Sequence, residues 1–375
     1  MHPRLAVAVC EAAEEAAAVI DDPCAERGRL RPRRERVSDP PVRVGVVGLG
    51  YWGPNLARNF DALPGCELRW VCDAAPDARE RVAASLRDAR VTAEIDDLLA
   101  DPDLDAVALA TPVPTHAALA VRVLEAGKHC FVEKPLAERV ADAERAVETA
   151  GAAGRVLMVG HLLEYHPGVL RLKEIADSGE LGDIRYIYSN RLNLGVLREE
   201  ENALWSLGAH DVSVLLALAG EEPYEVEARG ECYMKPGIED VVFCFLRFPS
   251  GLAGHLHLSW LDPHKERRFT VVGARQMATF DDMELERKVT VYDKGFDPRA
   301  DSYGEYITRS GDTWSPKVDN TEPLRAECEH FVARVRDGAA PRSDGESGLR
   351  VVRVLEALQD SLAASRRSEA GVGPA

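Results

Sequence analysis

The chain reads as an α/β protein: a doubly wound, parallel sheet comes first, and an α+β region with a broad, largely antiparallel sheet follows. Three observations predict this. From Val42, short branched-apolar runs alternate with segments of helical period, the pattern of βαβ repetition. After His161 the rhythm changes to consecutive strand candidates joined by turn signals such as FPSG and VGARQ. At 375 residues the chain is also long enough to bury two separate cores. The expected boundaries are an N-terminal extension over 1–40, a first domain over 41–160, a second over 161–365 and a polar tail over 366–375.

In chain order, LAVAVCEAAEEAAAVI is Ala-rich, but Glu11, Glu14 and Glu15 interrupt it too early for a secretion signal. The Arg- and Pro-rich RGRLRPRRERVSDPP that follows cannot pack a core and reads as a flexible linker. Strands are then expected at VRVGVVG, ELRWVCD, a short RVTA, LDAVALAT, HCFVEKP and RVLMVG. Helices such as PDARERVAASLRD and THAALAVRVLEAG separate them, the second closing on a glycine. Beyond residue 161 come a helix (GVLRLKEIADSGE), a long strand (IRYIYSNRLNLG) and a second helix (WSLGAHDVSVLLALAG). Strands follow at EVEARGECYM, DVVFCFLRF, LAGHLHLSW, RRFTVVG and QMATFDD. Two helices near LRAECEHFVARVRDG and GLRVVRVLEALQDSL close the chain.

Composition excludes several functions. The formal net charge of −17, with basic residues scattered among acids, argues against nucleic-acid binding. No apolar run approaches the roughly 20 residues that a membrane helix needs. The eight cysteines contain no CxxC pair and several sit in apolar runs, which reads as reduced core cysteines in a cytoplasmic protein. His255 and His257 share a strand face, but no carboxylate or cysteine at suitable spacing completes a set, so no metal is expected.

The chemistry begins at GLGYWG. Gly48, Gly50 and Gly53 follow a strand and open a helix, with Pro54 in its first turn and Asp73 at the end of the next strand. In such a dinucleotide fingerprint the first glycine permits the turn and the second lets backbone N–H groups approach a pyrophosphate. The third lets helix and sheet pack closely. Asp73 would accept ribose hydroxyls and repel a 2′-phosphate, and no arginine adjoins it, so NAD is expected in preference to NADP. Ligands of open parallel sheets lie outside the carboxyl ends of the strands. This edge collects the glycine loop, Asp73, Thr111 in ATPVPTH, and Glu133-Lys134-Pro135. Tyr51, Trp52 and His116 join Thr111 and Glu133 in the expected cofactor set. In the helix after Trp205, Ser206, His210, Ser213 and Ala217 share a small polar face suited to a cleft.

GVVGLGYWG, the ATPxxTH segment, FVEKPLA and GAHD together resemble the Gfo/Idh/MocA oxidoreductases, over about residues 41–363. The resemblance implies a Rossmann domain and an NAD(P)-dependent enzyme acting on a sugar or cyclitol carbon. Further stretches, including RYIYSNRLNLG, PGIEDVVF and TEPLRAECEHF, are similar to the branch that oxidises C3 of UDP-N-acetylglucosamine or its uronate. Carried over, Lys134 and His210 are the catalytic pair, with His210 as general base and Lys134 stabilising the alkoxide. Tyr165, Arg191 and Asn193 are expected substrate contacts.

One place departs from the family. Many members carry an acid four residues before the histidine; here that residue is Ser206, and Asp211 points elsewhere on the helix. A serine orients but does not charge, so the His210 pKa should be raised less than in acid-bearing relatives. The competing readings are a 3-ketoreductase of a dTDP-deoxysugar, an inositol dehydrogenase, an NAD-dependent glycosidase, and a non-catalytic NAD-sensing binder. A broad sheet with one open face also favours a homo-oligomer, a dimer or a tetramer.

Overall fold

All six apolar runs beginning at Val42 are strands of one parallel sheet: β1 (Val42–Val47), β2 (Cys66–Cys72), β3 (Arg90–Thr92), β4 (Ala106–Leu109), β5 (His129–Glu133) and β6 (Leu157–Gly160). Their order is β3-β2-β1-β4-β5-β6. The direction of winding reverses between β1 and β4, where a crevice opens at the strands' carboxyl ends. Helices α1 (Gly53–Ala62), α2 (Pro76–Ala83), α3 (Ile95–Ala100), α4 (His116–Glu125) and α5 (Val140–Ala153) make the crossovers. The computed structural model describes residues 40–370 apart from 85, 87, 196, 199, 200 and 299–305. The expected extension therefore lies, except for Pro40, outside the described residues, as do 371–375.

The second half begins with α6 (Pro167–Asp177), β7 (Ile184–Leu194) and α7 (Ala209–Ala219). Strands β8 (Glu225–Glu231), β9 (Val241–Arg247), β10 (Ala253–Ser259), β11 (Leu261–Gly273), β12 (Met277–Asp281), β13 (Val289–Pro298) and β14 (Tyr306–Trp314) follow. With β7 they form a sheet ordered β14-β13-β12-β11-β7-β10-β9-β8, antiparallel except where β7 meets β10. Strict alternation explains its two faces. Val242, Cys244 and Leu246 of β9 are buried, whereas Phe243 and Phe245 point the other way and are exposed. The buried face packs on α7 and on the last helix, α9 (Gly345–Ala370), through Val212, Leu215, Leu355 and Leu358.

The two closing helices return to the first sheet. From α8 (Pro323–Asp337), Phe331 lies edge-on to Phe60 and Phe131 at 6.2 and 5.7 Å, while Leu349 and Val352 of α9 enter the core on the sheet's other face. Residues from beyond position 320 thus complete both cores around the parallel sheet.

Three local features differ from the sequence reading. The segment Leu204–Gly208 is a π-turn that leads into α7 instead of the start of one continuous α-helix. Helix α9 continues to Ala370, past the expected start of the tail at 366. The β13–β14 hairpin enlarges the second sheet with two further strands. Among the described residues, no helix is long and apolar enough to cross a membrane.

Candidate active site

The glycine loop shows why each of its glycines is there. Gly48 has φ +91°, and a Cβ there would stand 2.5 Å from the Ala110 carbonyl oxygen; at Gly53 a Cβ would lie 1.7 Å from the Gly48 oxygen. Only Gly50 faces open space. Pro54 has no N–H and the Asn55 and Leu56 N–H groups donate to the Trp52 carbonyl oxygen at 2.9 and 3.4 Å, so it is the positive end of the α1 dipole, beside the open side of Gly50, that is suited to an anion. Asp73 ends β2 and is pinned: its Oδ2 accepts the Leu49 N–H at 2.6 Å and its Oδ1 the Ala75 N–H at 2.8 Å. Arg79, which the sequence reading missed, donates from Nη1 to the Asp73 and Ala74 carbonyl oxygens at 2.6 and 2.9 Å. Six residues downstream, it reaches this edge because α2 folds back over the end of β2.

The other expected cofactor residues divide. Tyr51 is 89% exposed at the lip of the loop and stacks on half-buried Trp52 at 6.4 Å. Thr111 is partly buried and accepts the Thr115 hydroxyl at 2.7 Å. His116 takes a different place from the one expected. It is buried, with its ring nitrogens 2.8 Å from the carbonyl oxygens of Thr111 and Pro135. Its side chain therefore clamps the loop after β4 to the loop after β5 and does not line the crevice.

Lys134 leaves β5 just before Pro135, across a cis peptide bond. Its Nζ donates to the Ser206 carbonyl oxygen at 3.2 Å, which ties the strand end to the π-turn preceding His210. The wider turn matters because it presents a carbonyl group to the ammonium at the entry to α7. Burial lowers the Lys134 pKa; Glu201 and Glu133 oppose the shift, while Arg191 and Arg198 add to it. His210 lies in the first turn of α7 and its pKa falls well below the usual 6.5. Burial is the main cause, and Lys134, Arg191, His161 and Arg267 add to it. The ring is neutral at ordinary pH, the form that can accept a proton. Burial also raises the Glu133 carboxyl.

Among the expected substrate residues, Arg191 belongs to the charged surroundings of Lys134 and His210. Buried Asp211 holds it, accepting Arg191 Nε at 2.6 Å through Oδ1 and the Ser189 hydroxyl at 2.7 Å through Oδ2. Asn193 is half-buried, its amide packed against Gly195. Tyr165 is 2% exposed in the core beside the first sheet. Its hydroxyl lies 3.0 Å from Ser343 Oγ and Arg342 covers its ring at 5.1 Å, so it is a packing residue and not a substrate contact.

A cleft of about 680 Å³ is lined by Pro112, by Pro135, the residue after Lys134, and by Arg198, Glu201 and Trp205, the residue before Ser206. Trp205 is held by its indole N–H, which donates to Gln359 Oε1 at 3.1 Å. No sequence signal joins residues so far apart. His255 and His257 do not reach this cleft; their rings pack on Phe245 and Phe243 on the open face of the second sheet.

Known proteins carry the same architecture. Residues 42–161 match the family model described as "Oxidoreductase family, NAD-binding Rossmann fold", and residues 169–279 match the GFO/IDH/MocA C-terminal domain. A solved structure from Magnetospirillum magnetotacticum MS-1, assigned only to the oxidoreductases, is 32% identical with a TM-score of 0.73, covering 85% of this chain and 99% of its own. The UDP-N-acetylglucosamine 3-dehydrogenase of Acidithiobacillus ferrooxidans is 29% identical over 314 residues, 83% of this chain and 94% of that protein. The NAD(+)-dependent scyllo-inositol 2-dehydrogenase of Bacillus subtilis is 26% identical over 312 residues, 80% of this chain and 88% of that protein.

The fold and the glycine crevice define an NAD-binding oxidoreductase. More particularly, the chain belongs to the Gfo/Idh/MocA family. Its residues fit the dinucleotide: Gly50 leaves room at the N-terminus of α1 for the pyrophosphate, and Asp73, anchored by two backbone N–H groups, keeps lone pairs for ribose hydroxyls.

Proposed function

We propose that the protein oxidises a secondary alcohol of a sugar, at C3 of a nucleotide-linked sugar such as UDP-N-acetylglucosamine or its uronate, with Lys134 and His210 as the catalytic residues. The observation that carries this reading is the contact from Lys134 Nζ to the Ser206 carbonyl oxygen at 3.2 Å. It links the strand end beside the cofactor crevice to the turn that delivers His210. NAD supplies the hydride acceptor. The neutral imidazole of His210 takes the hydroxyl proton, and the Lys134 ammonium faces the oxygen as negative charge develops on it. The surrounding cations Arg191 and Arg267 favour that charge further. Half-buried Trp205 and buried Pro135 wall the cleft.

The likeness to the Acidithiobacillus enzyme supports the nucleotide-sugar assignment, and that to the Bacillus enzyme supports a second reading, oxidation of a free inositol. The test is absorbance of NADH formed with UDP-N-acetylglucosamine, its uronate and inositols. Turnover of the nucleotide sugars is the expected result, and turnover of inositols alone would move the assignment to the second reading. The open face of the second sheet, with Tyr186, Phe243 and Phe245 exposed, is proposed as the contact of a homodimer or tetramer, to be checked by light scattering. The cysteines among the described residues are all free, which fits the cytoplasmic setting proposed for the protein.

A further inference from the structure

The proton that His210 removes must leave a half-buried ring whose Nδ1 is buried without a hydrogen-bond partner, and the structure holds a set of polar groups behind the pair with no assigned use. Gly160 of β6 pairs with Glu133 of β5, so the residues that follow, His161 and Lys134, emerge side by side at the sheet's edge. His161 is completely buried and neither of its ring nitrogens has a hydrogen-bond partner. A core histidine normally bonds a carbonyl group; this one stands beside Lys134 and His210 instead. In the same turn, Glu164 is 4% exposed, with Oε1 also unpartnered. Leaving such atoms unpaired is destabilising, so three of them in one turn call for an explanation beyond packing.

On the far side Glu164 meets a different environment. Ser213, one turn along α7 from His210, reaches its carboxyl, and Arg342, Arg350 and Asp344 approach from the loop before α9 and from α9 itself. Arg342 and Arg350 are exposed. Glu327 of α8 completes the surroundings, fully buried and close to both Glu133 and Glu164.

We propose that His161 and Glu164 form a proton path from the Lys134–His210 pair to solvent at the Arg342–Arg350 rim, separate from the cleft that admits the sugar. The inference rests on the oxidation proposed above. In that reaction the substrate O–H bond breaks and its proton passes to His210, while the hydride leaves carbon with its electron pair for the nicotinamide. His161 accepts the proton on one ring nitrogen and releases the proton of the other towards the Glu164 carboxylate, which returns it to water. One proton is set free for each hydride transferred. Burial and Lys134 hold the His161 pKa at about 3, so the ring stays neutral and passes protons without storing them. Burial raises Glu164 to about 8, with Arg342 and Arg350 opposing the rise, so it exchanges a proton with water near neutral pH.

The test compares wild type with His161→Ala and Glu164→Gln, using whichever sugar wild type turns over. The expected result is kcat lowered about 10- to 100-fold in His161→Ala with KM for sugar and NAD little changed, a larger solvent deuterium effect on kcat, and recovery with added imidazole. If the alanine variant does not fold, His161→Gln is expected to show the same loss. Equal kcat and equal solvent effect in variant and wild type would overturn the path alone, whereas no turnover by wild type on any sugar would overturn the proposed reaction and the path with it. A readout without substrate is the melting temperature against pH. The Glu164 carboxyl ionises near 4.3 when unfolded but near 8 when folded, so its contribution is complete at low pH and is lost as pH rises through 8. Glu164→Gln should flatten this decline, and parallel curves would remove Glu164 from the path.

Discussion

Ser206→Asp restores a charge one turn before His210 and tests how the site sets its base. Wild-type His210 is depressed by burial first and by Lys134, Arg191, His161 and Arg267 next. Ser206 lies in the π-turn and His210 four residues on, in the first turn of α7; the wider turn still keeps the two on one side of the helix, at a separation of about 6 Å. At that distance one carboxylate favours the imidazolium by about 2.8 kcal/mol if the effective dielectric constant is near 20, and by about 0.7 kcal/mol if water screens it fully. Ser206 is half-buried, which places the effect between these limits, a rise of about 0.5 to 2 pKa units. The Lys134 ammonium already sits at the Ser206 carbonyl oxygen, so the same carboxylate should raise its depressed pKa as well. In a profile of kcat/KM against pH, the acid limb reports His210 and the alkaline limb Lys134, and both should move upward. Two limbs unmoved in a folded variant that still binds NAD would refute the placement of Ser206 beside the pair.

Other substitutions check separate parts of the account. Gly53→Ala would press a methyl group to 1.7 Å from the Gly48 oxygen, so the NAD-induced rise in melting temperature should vanish; a normal rise would contradict the packing described. Asp73→Ser removes the charge that repels a 2′-phosphate while leaving Arg79 nearby to pair with one, so the preference for NAD over NADP should fall by about 10- to 1,000-fold, measured by comparing kcat/KM with the two cofactors. Tyr165→Phe deletes the hydroxyl's contacts with Ser343 and with Met158 Sδ, so kcat should stay within about two-fold of wild type while stability falls by about 1 kcal/mol in a urea melt; a large rise in KM for sugar would return Tyr165 to the substrate site.

The legible parts were those written locally. Branched runs with helical segments between them announce six parallel strands, and the glycines, Asp73, Lys134 and His210 lie where strand ends and one helix face place them. What could not be read depends on partners distant in sequence. The hydroxyl of Tyr165 meets Ser343, 178 residues on, and Trp205 is held by Gln359, 154 residues away. His116 looks like a crevice residue from its motif, but the turn after Lys134 brings the Pro135 carbonyl oxygen to its ring. The π-turn before α7 escaped because WSLG differs from an α-helical start only in a widened backbone, which side-chain periodicity does not report. The return of α8 and α9 to the first sheet was equally hidden, since an amphipathic helix shows that it has a buried face but not against which sheet.

The central claim is that Lys134 and His210 perform chemistry on a sugar while the glycine crevice binds NAD without them. The direct measurement is kcat for NADH formation by Lys134→Met and His210→Asn on the sugar that wild type oxidises, alongside NAD affinity by fluorescence titration. The account predicts kcat lowered about 10²- to 10⁴-fold in each variant with NAD affinity within about three-fold of wild type. Variants that bind NAD normally and keep a tenth or more of wild-type turnover would contradict it.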